Sequence, residues 1–282
     1  MTTPIAKMPR SSQPRAGKAP VVVTSSGIPL QKPSFARVTW IVFWRQLRIA
    51  LRNPAWVIIG LAQPILYLGL FGPLLVPLSR SFGVTNAYTI FVPGLLVQLG
   101  IFGALFTGFG LVAEWRAGVI EAERVTPASR TALLLGRILR DVLQLFVQGV
   151  VLIALGYAFG LRASLTGMAF GLLLTLLLGA SCAAASYSLA LVTKSEDVMA
   201  PLINSIALPV LLLSGILLPM TLAPKWLQVV SDIIPTKHIV DAIRSSFVGD
   251  FGLPILWGTI WSVVIFAILM WVGTRTFRKE NA

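Results

Sequence analysis

The chain is poor in the residues that usually do chemistry. Of its 282 residues, one is cysteine and one is histidine. A lone cysteine, Cys182, permits no internal disulfide and no thiolate metal cluster. A lone histidine, His238, excludes a His-rich metal site, and any His-dependent triad would have to be built around it alone. Neither GxSxG nor HExxH occurs. Gly-x-x-x-x-Gly-Lys-Ser/Thr is also missing, so the sequence offers no usual P-loop to cradle nucleotide phosphates. Acids are scarce: the ten Asp and Glu sit at the ends of apolar stretches or between them. Ion-driven carriers usually place carboxylates at membrane depth, so this distribution counts against them.

Long apolar runs are what the chain has in quantity. Hydrophobic residues make up 56% of it and charged residues 12%. A hydrocarbon core about 30 Å thick needs roughly 20 apolar residues in a helix. Six stretches meet that need, at 55–77, 88–113, 138–160, 167–192, 198–218 and 253–273. The expected fold is all-α: a polytopic integral membrane protein with six transmembrane helices and little material left for a soluble domain.

The formal net charge is +13, and its distribution matters more than its size. If the six stretches span, eighteen of the 23 Lys and Arg fall on the side of residues 1–53, 114–140, 193–197 and 274–282. Arg80, Arg162, Lys225, Lys237 and Arg244 fall on the other. The positive-inside rule then puts both termini in the cytoplasm of a cell (inner) membrane. The basic balance reads as topology, and no zinc or RNA-binding motif accompanies it, which argues against nucleic acid as a partner.

Residues 1–33 mix Pro, Ser, Lys and Arg without an apolar run longer than Val21–Val23. They read as a disordered cytoplasmic tail with no cleavable signal, leaving 34–279 as the membrane domain. Within 34–53, Arg37, Arg45, Arg48 and Arg52 fall in an arc of about 80° on a helix. Val38, Val42, Phe43 and Leu47 cover much of the opposite side, and Trp40 and Trp44 add interfacial anchors. This predicts an amphipathic helix in the headgroup layer, in contact with membrane lipid. Asn53–Pro54 suits the start of the next helix.

Polar residues inside the spans are few. Gln63, Gln98 and Asn204 lie in the first, second and fifth, each read as an interhelical hydrogen bond or a lining of a path. The second and fourth spans are rich in Gly, Ala and Ser, as closely packed membrane helices are. Segment 219–252 is too apolar for an ordinary loop. Pro219, Trp226, Pro235, Asp241 and Arg244 mark two short amphipathic helices, expected to form an external re-entrant hairpin before the last span.

The most informative polar segment runs from Glu114 to Arg137. Its composition predicts a short helix, a Thr126–Pro127 break and a new helix, with Ser129 as cap and Arg137 pairing with Asp141 at i,i+4. Val119, Ile120 and Val125 among the charges suit a small surface that docks a protein.

Gly118-x-Ile120-Glu121, then Thr126-Pro127-x-Ser129-Arg130 and Leu133-Leu134-x-Gly136-Arg137, resembles the membrane subunit of type-2 ABC exporters. The likeness is to daunorubicin-resistance and nodulation-factor permeases. Ser214-Gly215, Pro219, Pro224-x-Trp226-Leu227, Pro235, Asp241-Ala242-x-Arg244 and Gly249 extend it. The resemblance implies a pair of permease copies above two separate ATP-binding subunits, with ATP and Mg bound by those subunits and no cofactor or catalytic site in this chain. It implies that Gly118, Glu121, Glu123, Arg124, Pro127 and Arg130 form the coupling element. The path would run between permeases beside Gln63, Gln98 and Asn204, for a drug, antibiotic or lipid-like substrate. Polysaccharide or glycolipid export, and an ion-coupled carrier, remain the alternatives.

Overall fold

A computed structural model describes residues 34–52, 55–79, 86–216 and 220–280. Residues 1–33, Asn53–Pro54, Arg80 and Pro219, all assigned roles above, lie outside the described residues. What is described is helical: α1 (Phe35–Arg52), α2 (Ala55–Ser79), α3 (Tyr88–Leu105), α4 (Thr107–Arg116), α5 (Val119–Arg124), α6 (Arg130–Ala158), α7 (Leu165–Thr193), α8 (Glu196–Leu213), α9 (Lys225–Asp232), α10 (Pro235–Val248) and α11 (Leu253–Glu280). A single 3-10 turn, Met220–Leu222, precedes α9. Among the described residues there is no strand.

Among the described residues, five helical segments are long and apolar enough to cross a membrane: α3 with α4, then α6, α7, α8 and α11. In α2 the apolar stretch is shorter, Ile58–Leu74. It carries Pro64, Pro73 and Pro77 inside the helix. The expected limits shift at one end of the bundle, where Arg278 of the last helix reaches Thr131. α6 begins at Arg130, eight residues before the expected span, and α11 continues to Glu280. Both extensions carry charged groups beyond the expected span, Arg130 and Arg137 on α6 and Arg275, Arg278 and Lys279 on α11.

α7 is the centre. It touches α3, α4, α6, α8, α10 and α11. Lipid tails are as apolar as leucine, so helices associate here through close van der Waals contact, which small residues allow. Gly179, Ala180, Ser181, Ala183 and Ala184 supply that face. The Gly167–Gly171 pair, a spacing common in helix dimers, is used within the chain. A Cβ on Gly167 would lie 1.8 Å from the Ser246 carbonyl oxygen, and one on Gly171 would strike Phe247. α10 therefore lies directly on the start of α7. It buries Ile239, Val240, Ala242, Ile243 and Phe247 among α3, α7 and α11.

The second span is broken at Phe106, between α3 and α4. A break frees backbone groups that lipid cannot satisfy. Ser186 of α7 meets two of them: its hydroxyl donates to the Leu105 carbonyl and accepts the Gly108 N–H at 3.0 Å.

Burial is uneven. In the most apolar windows of α3/α4 and α7, 61% of residues are buried, against 11% in α11. The first two form the interior of the bundle, and α2, α8 and α11 clothe it.

Candidate functional site

The charged residues gather at one end of the bundle, where α4 runs out, α6 begins and α1 lies alongside. α1 packs by Val38 and Val42 against Ala132 and Leu133 of α6. Trp40 and Trp44 are exposed and stacked at 6.3 Å, beside the exposed Arg37, Arg48 and Arg52. α1 thus has three faces: one on α6, one aromatic and one basic.

α5 is a six-residue helix whose direction is set by Gly118. Its φ is +74°, a left-handed conformation that suits glycine, and it turns the chain sharply out of α4. At the other end Arg130 donates to the carbonyls of Glu123 (2.7 Å) and Arg124 (2.8 Å), and the Thr126 hydroxyl also donates to Glu123 O (2.7 Å). These bonds close the carbonyl end of α5, which has no helical partner of its own. Ser129 stands at the N-cap of α6, but its side chain makes no capping bond.

Below α5 lies a buried ion cluster. Arg137 Nη2 is 2.8 Å from Glu114 Oε2, 2.9 Å from Glu123 Oε1 and 3.0 Å from Glu123 Oε2. Gln46 of α1 donates to Glu114 Oε1 at 2.6 Å. Arg45 adds longer contacts, 3.4 Å to Glu123 and 3.9 Å to Glu114. The Arg137 side chain is 2% exposed. The cluster joins α1, α4, α5 and α6 through side chains distant in sequence.

Two expectations change here. Arg137 does not pair with Asp141; it turns toward Glu114 and Glu123, while Asp141 pairs with Arg140 and accepts from Tyr187 of α7. Two carboxylates beside Arg137 outweigh one a helical turn away. The six residues assigned to the coupling element also divide. Glu121, Arg124 and Pro127 are exposed, whereas Glu123 is buried on Arg137 and Arg130 is engaged with the α5 carbonyls. Gly118 acts through its backbone. Ile120 is fully buried on the inner side of α5, and Val125 is 87% exposed on the outer side. Sequence reasoning left Glu114 and Gln46 out. Their only signal was a polar residue on an otherwise apolar helix face.

The polar residues of the spans also separate. Gln63 and Asn204 lie on exposed faces of α2 and α8, where their amides reach only Tyr67 and the Ala200 carbonyl of their own helices. Gln98 is buried in α3, and its Oε1 has no partner among the described residues. The structure does not bring it together with the other two.

At the opposite end, Pro235 starts α10 and separates it from α9, as its position predicts. Arg244 reaches from α10 to the carbonyls of Gly215 (2.7 Å), Ile216 (3.1 Å) and Ile90 (3.3 Å), joining the end of α8 to the start of α3. Burial draws its guanidinium down to about 10, against the pull of Asp241. Asp241 pairs with Lys237 at 3.6 Å, and Lys237 also pairs with Asp232. Trp226 is exposed on α9. His238 bonds the Asp232 carbonyl at 3.0 Å and stacks on Trp261. Among the described residues no group of His, Cys, Asp or Glu could hold a metal ion.

Comparison with known proteins meets this geometry. The family described as ABC-2 type transporter matches residues 37–248, from α1 to the end of α10. The chain is 26% identical over 281 residues to the daunorubicin resistance ABC transporter permease protein DrrB1 of Streptomyces coeruleorubidus, covering 96% of each. It is 29% identical over 200 residues to the putative transport permease ycf38 of Cyanophora paradoxa, covering 68% of each. It is 23% identical over 186 residues to the probable multidrug ABC transporter permease YbhR of Escherichia coli K12, covering 62% of this chain and 48% of that one. The chain is a multi-pass membrane protein, and it belongs to the ABC-2 type transporter family.

Proposed function

We propose that this chain is the membrane subunit of an ATP-driven exporter and that α5 is the element through which a separate ATP-binding subunit drives it. One observation carries the reading. α5 is held from inside by Ile120 and by Glu123 on Arg137, while Glu121, Arg124, Val125 and Pro127 face outward. A short rigid element with an exposed mixed face suits a docking contact that transmits displacement. ATP and Mg would be bound by the partner subunits, two of them beneath two copies of this chain. The permease names of the relatives support a separate ATP-binding subunit; the two-and-two count is part of the proposal.

The bundle would cross the cell membrane six times, with α2 as the first span and both termini in the cytoplasm. α9 and α10 would form a re-entrant hairpin on the external side, with α10 shielded by α3, α7 and α11. The path would run between permease copies along α2 and α8, past Gln63 and Asn204. Those faces are otherwise apolar, which favours a hydrophobic or amphipathic substrate of the drug, antibiotic or lipid-like class over an ion or sugar.

Affinity purification from the native host in mild detergent tests the reading, with subunit composition and vanadate-sensitive ATP hydrolysis as readouts. A P-loop ATPase should accompany the chain at near one per permease. Val125→Asp should weaken that association about tenfold, the scale of one interface anchor. Glu121→Ala should lower hydrolysis coupled to substrate. A chain that purifies alone and without hydrolysis would overturn the reading in favour of an ion-coupled carrier.

A further inference from the structure

We infer that Arg137 is a positioning residue: it seats α5 by serving as the shared buried counter-ion of Glu114 and Glu123. The inference rests on the reading of α5 as the docking element, and its first readout needs no partner subunit.

The argument begins with charge. Glu114 lies in the last turn of α4 and Glu123 in the last turn of α5, so their carboxylates belong to two elements joined only by the Gly118 bend. Both approach one nitrogen, Arg137 Nη2, within 3.0 Å. Two carboxylates that share one atom as partner are themselves close, and they repel. Arg45 is the other cation at hand, but it is 43% exposed and its contacts are longer, so water screens much of its effect. Removing Arg137 would leave two half-neutralised carboxylates at the hinge between α4 and α5. The cheapest relief is for α5 to swing outward and hydrate Glu123. A buried charge that loses its partner costs far more than the pair contributes while intact.

The contacts also say which property of Arg137 matters. All its bonds run through Nη2, while Nε and Nη1 are buried with no partner among the described residues. The planar fork that distinguishes arginine from lysine is not used. A lysine ammonium, which stands one bond short of Nη2, would still set a positive charge against both carboxylates and would remove two unsatisfied donors. Arg137→Lys should therefore hold α5 in place, and Arg137→Gln should release it. The release should be reversed by Glu123→Gln, which removes the excess negative charge. A role in packing alone predicts the opposite, since each further polar change in a buried cluster would add to the damage.

The test uses the full-length permease, purified alone, with Cys182→Ala and spin labels at Ala122→Cys on α5 and Ile49→Cys on α1, both exposed. The parent and Arg137→Lys should give one narrow distance distribution. Arg137→Gln should give a shifted, broadened one, and Arg137→Gln with Glu123→Gln should return to the parent. An unchanged distribution in Arg137→Gln, or a broader one in the double variant, overturns the positioning role. With the ATP-binding partner added, substrate-stimulated hydrolysis should fall roughly tenfold in Arg137→Gln and recover in the double variant, a coupling of the size that charged neighbours show. If α5 moves in Arg137→Gln but hydrolysis does not change, the positioning role stands and the docking reading falls.

Discussion

Gly167 and Gly103 sit in neighbouring helices and should respond differently to alanine. At Gly167 the added Cβ meets the Ser246 backbone, which cannot rotate away, so α7 and α10 must separate. At Gly103 nothing lies within 4 Å. Gly167→Ala should cost about 3 kcal/mol, the upper range for overpacking, and Gly103→Ala should be neutral or slightly stabilising through helix propensity. Thermal unfolding in detergent compares them directly, and equal losses would refute the close approach. Asp241 makes a second residue-scale test. Its carboxyl lies above the ordinary 3.8 because burial outweighs Lys237, Arg244 and His238. The folded chain then keeps this proton after the unfolded chain has released it. Stability from this group is therefore present at low pH and is lost as pH rises from about 4 through the raised value. Asp241→Asn should flatten that slope, and parallel melting curves for the two proteins would contradict it.

Among elements, the broken second span and the α4–α5 bend were only partly legible in the sequence. The Thr126–Pro127 break and the start of α10 at Pro235 were readable, because proline acts locally. The break at Phe106 was not readable: Leu105 and Thr107 beside it carry no breaking signal, and it is maintained by Ser186, about 80 residues later. The division of the coupling residues was hidden for the same reason. Which of Glu121 and Glu123 faces inward depends on Arg137, Gln46 and Glu114, three residues from three other helices. Ser186→Ala should remove both bonds at the break and cost about 1–3 kcal/mol, the penalty of leaving buried polar groups unpaired. Amide exchange at Gly108 should rise with it. Protection unchanged from the parent would show that the backbone there is satisfied by other means.

For the whole molecule, the topology makes a direct prediction. Single cysteines at Ser129 and Gly249, in a Cys182→Ala background, should react with an impermeant thiol reagent from opposite sides of the membrane. Ser129 should be reached only after permeabilisation and Gly249 in intact cells; reversed labelling would invert the orientation. The exposed apolar faces of α8 and α11 make a second. Val263→Asp on α11 should impair insertion by about 3 kcal/mol if that face meets lipid. An effect near zero would mean that protein covers it.

The bond from Arg244 to the Ile90 carbonyl has a consequence for synthesis. Its two ends are 154 residues apart. A ribosome adding about 5–20 residues per second needs on the order of ten seconds or more to make that stretch. During that interval α3 has entered the bilayer; α7 follows about midway, but α10 is not yet there to complete the cover of its glycine-rich side. The nascent protein thus has a long period as a loose set of helices, when a membrane chaperone or a protease could act on it. Its interior closes only when α10 emerges, and chains that end before Pro235 should be degraded much faster than chains that end after Gly249.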